Sequence, residues 1–261
     1  MIKNLVSVVM PTYNDAKYLK VAISDILNQT YSNFELIIVN DGSTDETEQI
    51  LNRYVGQDDR IRVFHKENGG TGSALNYGFK YAKGEFGTWI SSDDRRPKNY
   101  IERLVEALEK TKTELVFSSY YSEKYDRAWR SYVLDDSGEN YIVNRHPFYH
   151  NMKSTKKIIV VTEWVDINLY MCHSGVSFIF TMDLKNRSGD YLTIPGEDYH
   201  MEVKMAIIAK DNRVAYIDEV LGWHRSPPDS LTNLNPTCVF EAEKITKQMI
   251  LDWKRTGNIN A

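Results

Sequence analysis

The sequence predicts an open α/β fold: a mainly parallel central sheet with helices on both faces, followed by a C-terminal helix. Three observations carry this. Apolar β-type runs recur at residues 5–10, 34–39, 61–64, 86–90 and 114–118. Segments of helical periodicity separate them, and turns rich in Gly, Asn and Asp close them. Strands alternating with helices at this spacing build crossover units, which lay neighbouring strands parallel and cover both sheet faces.

Taken in order, the first strand (5–10) is stopped by Pro11-Thr12-Tyr13-Asn14. Residues 16–29 then place Leu19, Ala22, Ile23, Ile26 and Leu27 on one helical face. The second strand (34–39) closes at Asn40-Asp41-Gly42-Ser43-Thr44, and Asp45 caps a helix running to Tyr54. After the third strand, Asn68-Gly69-Gly70-Thr71-Gly72 leads a helix toward Lys83-Gly84. The fourth strand runs into Ser91-Ser92-Asp93-Asp94. Pro97 is expected to open an amphipathic helix, 97–110, with Ile101, Leu104, Val105 and Leu108 inward. Arg95 and Arg96, between them, read as surface counter-charges. Beyond the fifth strand the rhythm breaks, and residues 120–164 read as loops and short strands. A strand (176–181), a loop (189–196), a helix (197–210), a strand (213–217), a Pro- and Ser-containing loop (223–235) and a terminal helix (239–253) complete the chain. The organisation is one domain in two halves, 1–120 and 121–235, with a helical extension at 236–261.

Composition narrows the function. A chain of 261 residues, 42% of them hydrophobic, can bury a full core. A net charge of −4 gives no electrostatic footprint for nucleic acid. No apolar run approaches a membrane span and no signal peptide is apparent. Cys172 and Cys238 stand in unrelated contexts, so neither a metal spacing nor a disulfide framework follows, and a reducing cytosol fits. Peripheral placement at the inner membrane face is compatible with this, as is a homodimer through the terminal helix.

The chemistry gathers at strand ends, where ligands bind in open α/β sheets. Asp93 and Asp94 are adjacent carboxylates that repel unless a cation shares their site. Mg2+ or Mn2+ carrying phosphates would satisfy them, while a solvated turn with local ion pairs is the plainer alternative. Asp41 can only accept hydrogen bonds when ionised, which suits the imide N–H of uracil, thymine or guanine. An Asx turn explains the same residue. Tyr13 could stack on a flat base. The Asn68-Gly69-Gly70 loop lacks the spacing of a dinucleotide fingerprint, so NAD is rejected, and phosphate-directed N–H groups remain open.

Together these segments resemble the inverting glycosyltransferases of family 2, which have the GT-A (Rossmann-like) fold. The matching text is Val6-Ser7-Val8-Val9-Met10-Pro11-Thr12-Tyr13-Asn14, Leu27-Asn28-Gln29-Thr30-Tyr31, Phe34-Glu35-Leu36-Ile37-Ile38-Val39-Asn40-Asp41-Gly42-Ser43-Thr44-Asp45, Glu67-Asn68-Gly69-Gly70, Ala82-Lys83-Gly84-Glu85 and Ser92-Asp93-Asp94. It is dense over the first 110 residues. The resemblance implies transfer of a sugar from a nucleoside diphosphate sugar, UDP by default, to the hydroxyl of a glycan, lipid-linked or other acceptor in glycan or polysaccharide biosynthesis. Residues 1–120 would bind the donor and 121–235 the acceptor. Pro11, Thr12, Tyr13, Asn14, Asp41, Asn68, Gly70, Asp93 and Arg225 are the expected donor contacts. Asp94 would bind Mn2+ or Mg2+, with His224 as a further ligand. Gly196-Glu197-Asp198-Tyr199 resembles the family's Glu-Asp motif, making Asp198 the general base and Glu197 its orienting neighbour. His173 and Ser174 would line the acceptor pocket. Two departures stand out: Asn40 replaces the first of a usual Asp pair, and Ser92 opens the acidic triplet, which leaves the metal one carboxylate fewer. A sugar nucleotidyltransferase and a non-catalytic nucleotide-sugar binder are the alternatives.

Overall fold

The strand that opens the chain becomes the middle of the first half's sheet. A computed structural model describes residues 1–122, 127–129, 132–134, 141–143, 158–161, 176–209, 213–225, 227–228, 230, 234–235 and 237–259. Within them, β1 (Ile2–Thr12) pairs in parallel with β2 (Phe34–Asn40) on one side and β4 (Gly84–Trp89) on the other. β3 (Ile61–His65) continues the parallel set beyond β2. Past β4 lie β10 (Phe178–Thr181), antiparallel to both its neighbours, then β5 (Leu115–Ser122) and the long β11 (Val214–His224), parallel to each other. β9 (Ile158–Val161) forms the edge and β6 (Arg127–Trp129) adds to β5. The result is a nine-stranded sheet of order β3-β2-β1-β4-β10-β5-β11-β9, with β7 (Tyr132–Leu134) and β8 (Tyr141–Val143) forming a separate hairpin. β1 to β5 and β11 run one way, and β6, β9 and β10 the other.

Both faces are covered, which is why the central strands are continuous apolar runs rather than alternating ones. Leu36 and Ile38 on β2 point into a core with α1 (Ala16–Leu27), α2 (Thr47–Asn52) and α4 (Tyr100–Thr111). Ile37 and Val39 point the other way, into a core with α3 (Thr71–Phe79), α5 (Met182–Ser188), α6 (Glu197–Ala209) and α7 (Phe240–Thr256). α7 belongs to the packed body, since Ala242, Thr246 and Ile250 are buried and Thr246 meets His200 Nδ1 of α6 at 3.0 Å.

Several boundaries differ from the sequence reading. Pro97 does not open α4; Tyr100 N–H donates to the Pro97 carbonyl at 3.1 Å, so 97–99 form a turn and the helix starts three residues later. α3 stops at Phe79 and α2 at Asn52. α5, begun by the Thr181 hydroxyl accepting from Leu184 N–H at 3.2 Å, was not expected. β11 extends through Trp223 and His224, where a loop was expected, because it stays paired with β5 (Trp223 with Tyr121, His224 with Ser122), and Arg95 adds an isolated bridge to Trp223 with both hydrogen bonds at 3.0 Å.

The turn before α4 is fastened to the end of α1 by one buried amide. Gln29 donates to the carbonyls of Asp25 and Pro97 (2.9 and 2.7 Å) and accepts from the Ile101 N–H at 2.9 Å. Gln29→Ala would strand these buried backbone groups, and a loss of about 1–3 kcal/mol is expected in urea unfolding. An unchanged midpoint would show that the turn needs no such fastening.

Candidate active site

The parallel strands β1 to β4 and β11 end at the same edge of the sheet, so the segments that follow them converge there. Tyr13 and Asn14 follow β1, Asp41 follows β2, Lys66 to Gly70 follow β3, Ser91 to Asp94 follow β4, and Arg225 follows β11. The first two loops are laced together. Asn14, at φ 55°, accepts from Thr44 N–H at 2.7 Å, and its own N–H donates to the Ser43 hydroxyl at 3.0 Å. Asp45 bridges two helix starts, taking the N–H of Thr47 (3.0 Å) and of Ala16 (3.1 Å), which with the Thr47 hydroxyl holds its carboxyl below the usual range despite burial. Pro11 and Thr12 are buried at the end of β1, whereas Tyr13 is 48% exposed, its ring free to meet a ligand.

Asp41 is buried and acts first on the glycine loop. Its carboxylate takes Lys66 Nζ at 2.5 Å, Gly70 N–H at 2.8 Å and Gly69 N–H at 3.1 Å. A carboxylate offers about four acceptor positions, and with the Gly69 N–H shared between both oxygens at 3.1 Å these contacts occupy them. Asn68 holds the Asp41 carbonyl at 3.0 Å, and Gly42 (φ 75°) stands where a Cβ would lie 2.8 Å from the Asn68 nitrogen. Asn40, the departure from the family text, bonds Ser43 N–H (3.0 Å) and His65 Nδ1 (3.2 Å) and so is a loop fastener.

At the end of β4 the two acids differ. Asp94 is buried, with Oδ1 3.0 Å from the Arg225 N–H and 3.3 Å from His224 Nδ1, and Oδ2 3.7 Å from Arg96 Nη2. Asp93 accepts from the Ser91 hydroxyl at 2.5 Å; burial, then the charges of Asp94 and Asp15, push its pKa up to about 6. Burial works against a charged His224, but the hydrogen bond and charge of Asp94, aided by Asp93, outweigh it and raise the imidazole. Ser92 donates to Asp15. Arg95 pairs with Asp25 at 2.6 Å and is 43% exposed, as a surface counter-charge should be. Arg96 is not on the surface: its side chain is 1% exposed, stacked over the Tyr100 ring at 5.2 Å, and serves as a buried counter-ion beneath Asp94.

The acid pair fits a divalent cation completed by a ligand's own oxygens. His224 Nδ1 lies 3.3 Å from Asp94 Oδ1 as its hydrogen-bond donor, so the imidazole would have to give up that proton to join Asp94 on an ion. Crowded carboxylates at Asp15, Asp93 and Asp94 are the hard donors such ions take. Among the described residues no three His, Cys, Asp or Glu side chains form a ready metal cage, so phosphate oxygens would have to supply the remaining positions.

Glu197 and Asp198 begin α6, and the loop before them lies against α3. A Cβ on Gly72 would stand 1.7 Å from the Leu192 carbonyl oxygen and 3.3 Å from Glu197 Cγ. Glu197 is buried; burial first, then the charge on Asp198, push its pKa up to about 8, so it carries its proton at neutral pH while Asp198 stays half-buried beside it. Tyr191, fully enclosed, links this pair to β4. Burial and the charges of Glu202, Asp198 and Glu197 raise its phenol well above the usual value, while Trp89, five residues before Asp94, opposes them. His173 and Ser174 lie outside the described residues. Sequence reasoning missed Lys66, Arg96, Tyr191 and Asn76. Only Lys66, at the end of a strand beside the glycine loop, left a signal that could have been read.

An α/β sheet of this strand order, with buried acids at its strand ends, fits the class of GT-A proteins. Comparison with known proteins agrees. The glycosyl transferase family 2 profile matches residues 7–173, and the chain belongs to that family. Glycosyltransferase GlyG of Streptococcus pneumoniae is 41% identical over 140 residues, covering 53% of this chain and 46% of that protein. The uncharacterized glycosyltransferase EpsJ of Bacillus subtilis is 29% identical over 88% of this chain and 63% of its own length. The chain thus spans less than two thirds of either relative. Among solved structures, S. aureus TarS in complex with UDP-GlcNAc is similar with a TM-score of 0.66 at 22% identity, over 86% of this chain and 59% of that one. The mannosyltransferase PcManGT of Pyrobaculum calidifontis, with GDP-Man and Mn2+, gives a TM-score of 0.61 at 20% identity, over 94% and 61%. The family and the GT-A fold expected from the sequence are therefore borne out.

The raised pKa of Glu197 makes stability depend on pH. Below about 4.5 both folded and unfolded chains hold this proton. Between that value and about 8 the unfolded chain sheds it and the folded one keeps it, so stability falls as pH rises. Glu197→Gln removes the penalty. The variant should gain on the wild type between pH 4.5 and 8, by no more than about 4 kcal/mol, in parallel denaturant titrations. A difference that does not change with pH would refute the buried-proton assignment.

Proposed function

We propose that the protein is an inverting glycosyltransferase that moves a sugar from a nucleoside diphosphate sugar, with UDP the first nucleotide to test, to an acceptor hydroxyl. The observation that carries this is the placement of Asp94. It is a buried acid at the strand-end edge whose carboxylate meets His224 and the Arg225 N–H from the end of β11, next to the exposed Tyr13 side of the sheet. The nucleotide-sugar complexes of TarS and PcManGT, proteins of the same fold, support the donor class.

In this reading residues 1–120 hold the donor and 121–235 the acceptor, with 236–261 bracing the base-bearing helix. Tyr13 packs against the nucleobase. Asp41, held by Lys66, Gly69 and Gly70, takes the base N–H in exchange for the Gly69 N–H that its two oxygens share. Asp93 faces the ribose or phosphates, and Arg225 the diphosphate. Mn2+ or Mg2+, held by Asp94 with His224 alongside, would supply positive charge against the departing diphosphate. Asp198 takes the proton of the acceptor hydroxyl as its oxygen bonds to the anomeric carbon. The bond from that carbon to the diphosphate breaks on the opposite face, so configuration inverts. Glu197, protonated at neutral pH, orients the acceptor or a neighbouring group and leaves base chemistry to Asp198.

Asp198→Asn should lower turnover about 10²–10⁴-fold while UDP-sugar binding, read by thermal shift, survives. Near-normal turnover would remove Asp198 from the role. Excess EDTA should abolish turnover and Mn2+ restore it; full activity in EDTA would mean that Asp94 serves without an ion. Free nucleoside diphosphate is the expected product, and pyrophosphate would point to nucleotidyl transfer instead.

A further inference from the structure

Three residues on one face of α3, at positions i, i+4 and i+7, all meet the loop that precedes the Glu197–Asp198 pair. Gly72 leaves room for the Leu192 carbonyl, whose oxygen occupies the space of a Cβ. Asn76 makes a two-way clamp on the Tyr191 backbone: its Nδ2 donates to the Tyr191 carbonyl at 2.9 Å, and its Oδ1 accepts from the Tyr191 N–H at 2.7 Å. Phe79 stacks on the Tyr191 ring at 6.0 Å with the planes 10° apart. Side chains at this spacing lie above one another on a helix, so the three form a continuous seat. The N-terminal end of the same helix is the glycine loop whose Gly69 and Gly70 N–H groups are held by Asp41.

We propose that Asn76 is a positioning residue for glycosyl transfer: with Gly72 it forms a seat on α3 that fixes residues 191–196 and so sets where Asp198 stands relative to the donor. The argument rests on the reading of Asp198 as base. Between the α5 cap at Gly189 and the α6 start at Gly196, residues 190–195 belong to no helix or strand, so their path is set by what they touch. The Tyr191 backbone is satisfied by a single side chain, and that side chain belongs to the helix that also carries the donor's glycine loop. Donor-side and base-side groups are therefore referenced to one rigid element. A misplacement of about 1 Å between reacting groups can cost roughly 10²-fold in rate, which gives such a seat a kinetic role distinct from its part in packing.

The test compares Asn76→Ala and the equal-sized Asn76→Asp in the full chain, with Asp198→Asn as the control. Asn76→Asp keeps the acceptor for the Tyr191 N–H but sets an anionic oxygen against the Tyr191 carbonyl, so it opens the clamp without a cavity. Both Asn76 variants should lower kcat about tenfold or more, with Kd for UDP and MnCl2 within about twofold of wild type. Amide hydrogen exchange over 191–198 should quicken in both. Turnover within about twofold of wild type, or UDP affinity lost in step with kcat, would overturn the proposal, the second outcome marking a merely structural residue. If Asp198→Asn stays active, the base assignment fails by itself; the seat is then judged on exchange, and unchanged protection of 191–198 in the Asn76 variants sinks it.

Discussion

Parallel pairing of β1 with β2 and β4 is the constraint on which the rest of the structure depends. Crossover connections turn every strand of this set the same way, so each carboxyl end arrives at one edge. Residues 13, 41, 68–70 and 93–94 become neighbours for that reason, although up to 81 positions separate them in the chain. The register is held by continuous burial. Val8, Val9, Leu36, Ile37, Ile38 and Val39 have no exposed surface, and shifting any strand by one residue would exchange two filled cores.

On this frame the polar groups are arranged so that few buried charges stand alone. Asp41 is held by Lys66 and two backbone N–H groups, and Asp94 by Arg96, His224 and the Arg225 N–H. Where partners are short the pKa rises instead: Asp93 is pushed to about 6 and Glu197 to about 8 because burial and a neighbouring acid both disfavour charge. The two acid pairs, 93–94 and 197–198, thus follow one logic. Glu197 thereby keeps its proton at neutral pH, whereas Asp93 has given most of its own up by then.

The two departures from the family text have physical accounts. Asn40 keeps an acceptor for Ser43 N–H and gains a donor for His65, so the turn before Asp41 survives the loss of a carboxylate. Ser92 gives its hydroxyl to Asp15, which brings an acid from the start of α1 to the same edge that the missing triplet carboxylate would have served. Arg96, read from the sequence as a surface charge, is buried because the turn at 97–99 folds it inward over Tyr100. Nothing in an Arg-Arg pair says which member will point in.

The chain by itself determined the strand–helix alternation, the apolar faces of α1 and α4, and the order of the motifs that mark the family. These are local properties, written in periodicity and turn residues a few positions apart. It also named Asp41, Asp93, Asp94 and the Glu197–Asp198 pair as candidates, since their types and spacing survive without coordinates. Tertiary structure alone decided that β10 enters antiparallel between β4 and β5, that β11 runs on through His224, and that Asn76 meets Tyr191 115 positions away. Those features depend on which surfaces lie against each other after folding. No local propensity encodes that, because the free energy involved belongs to contacts between segments and not to any one of them.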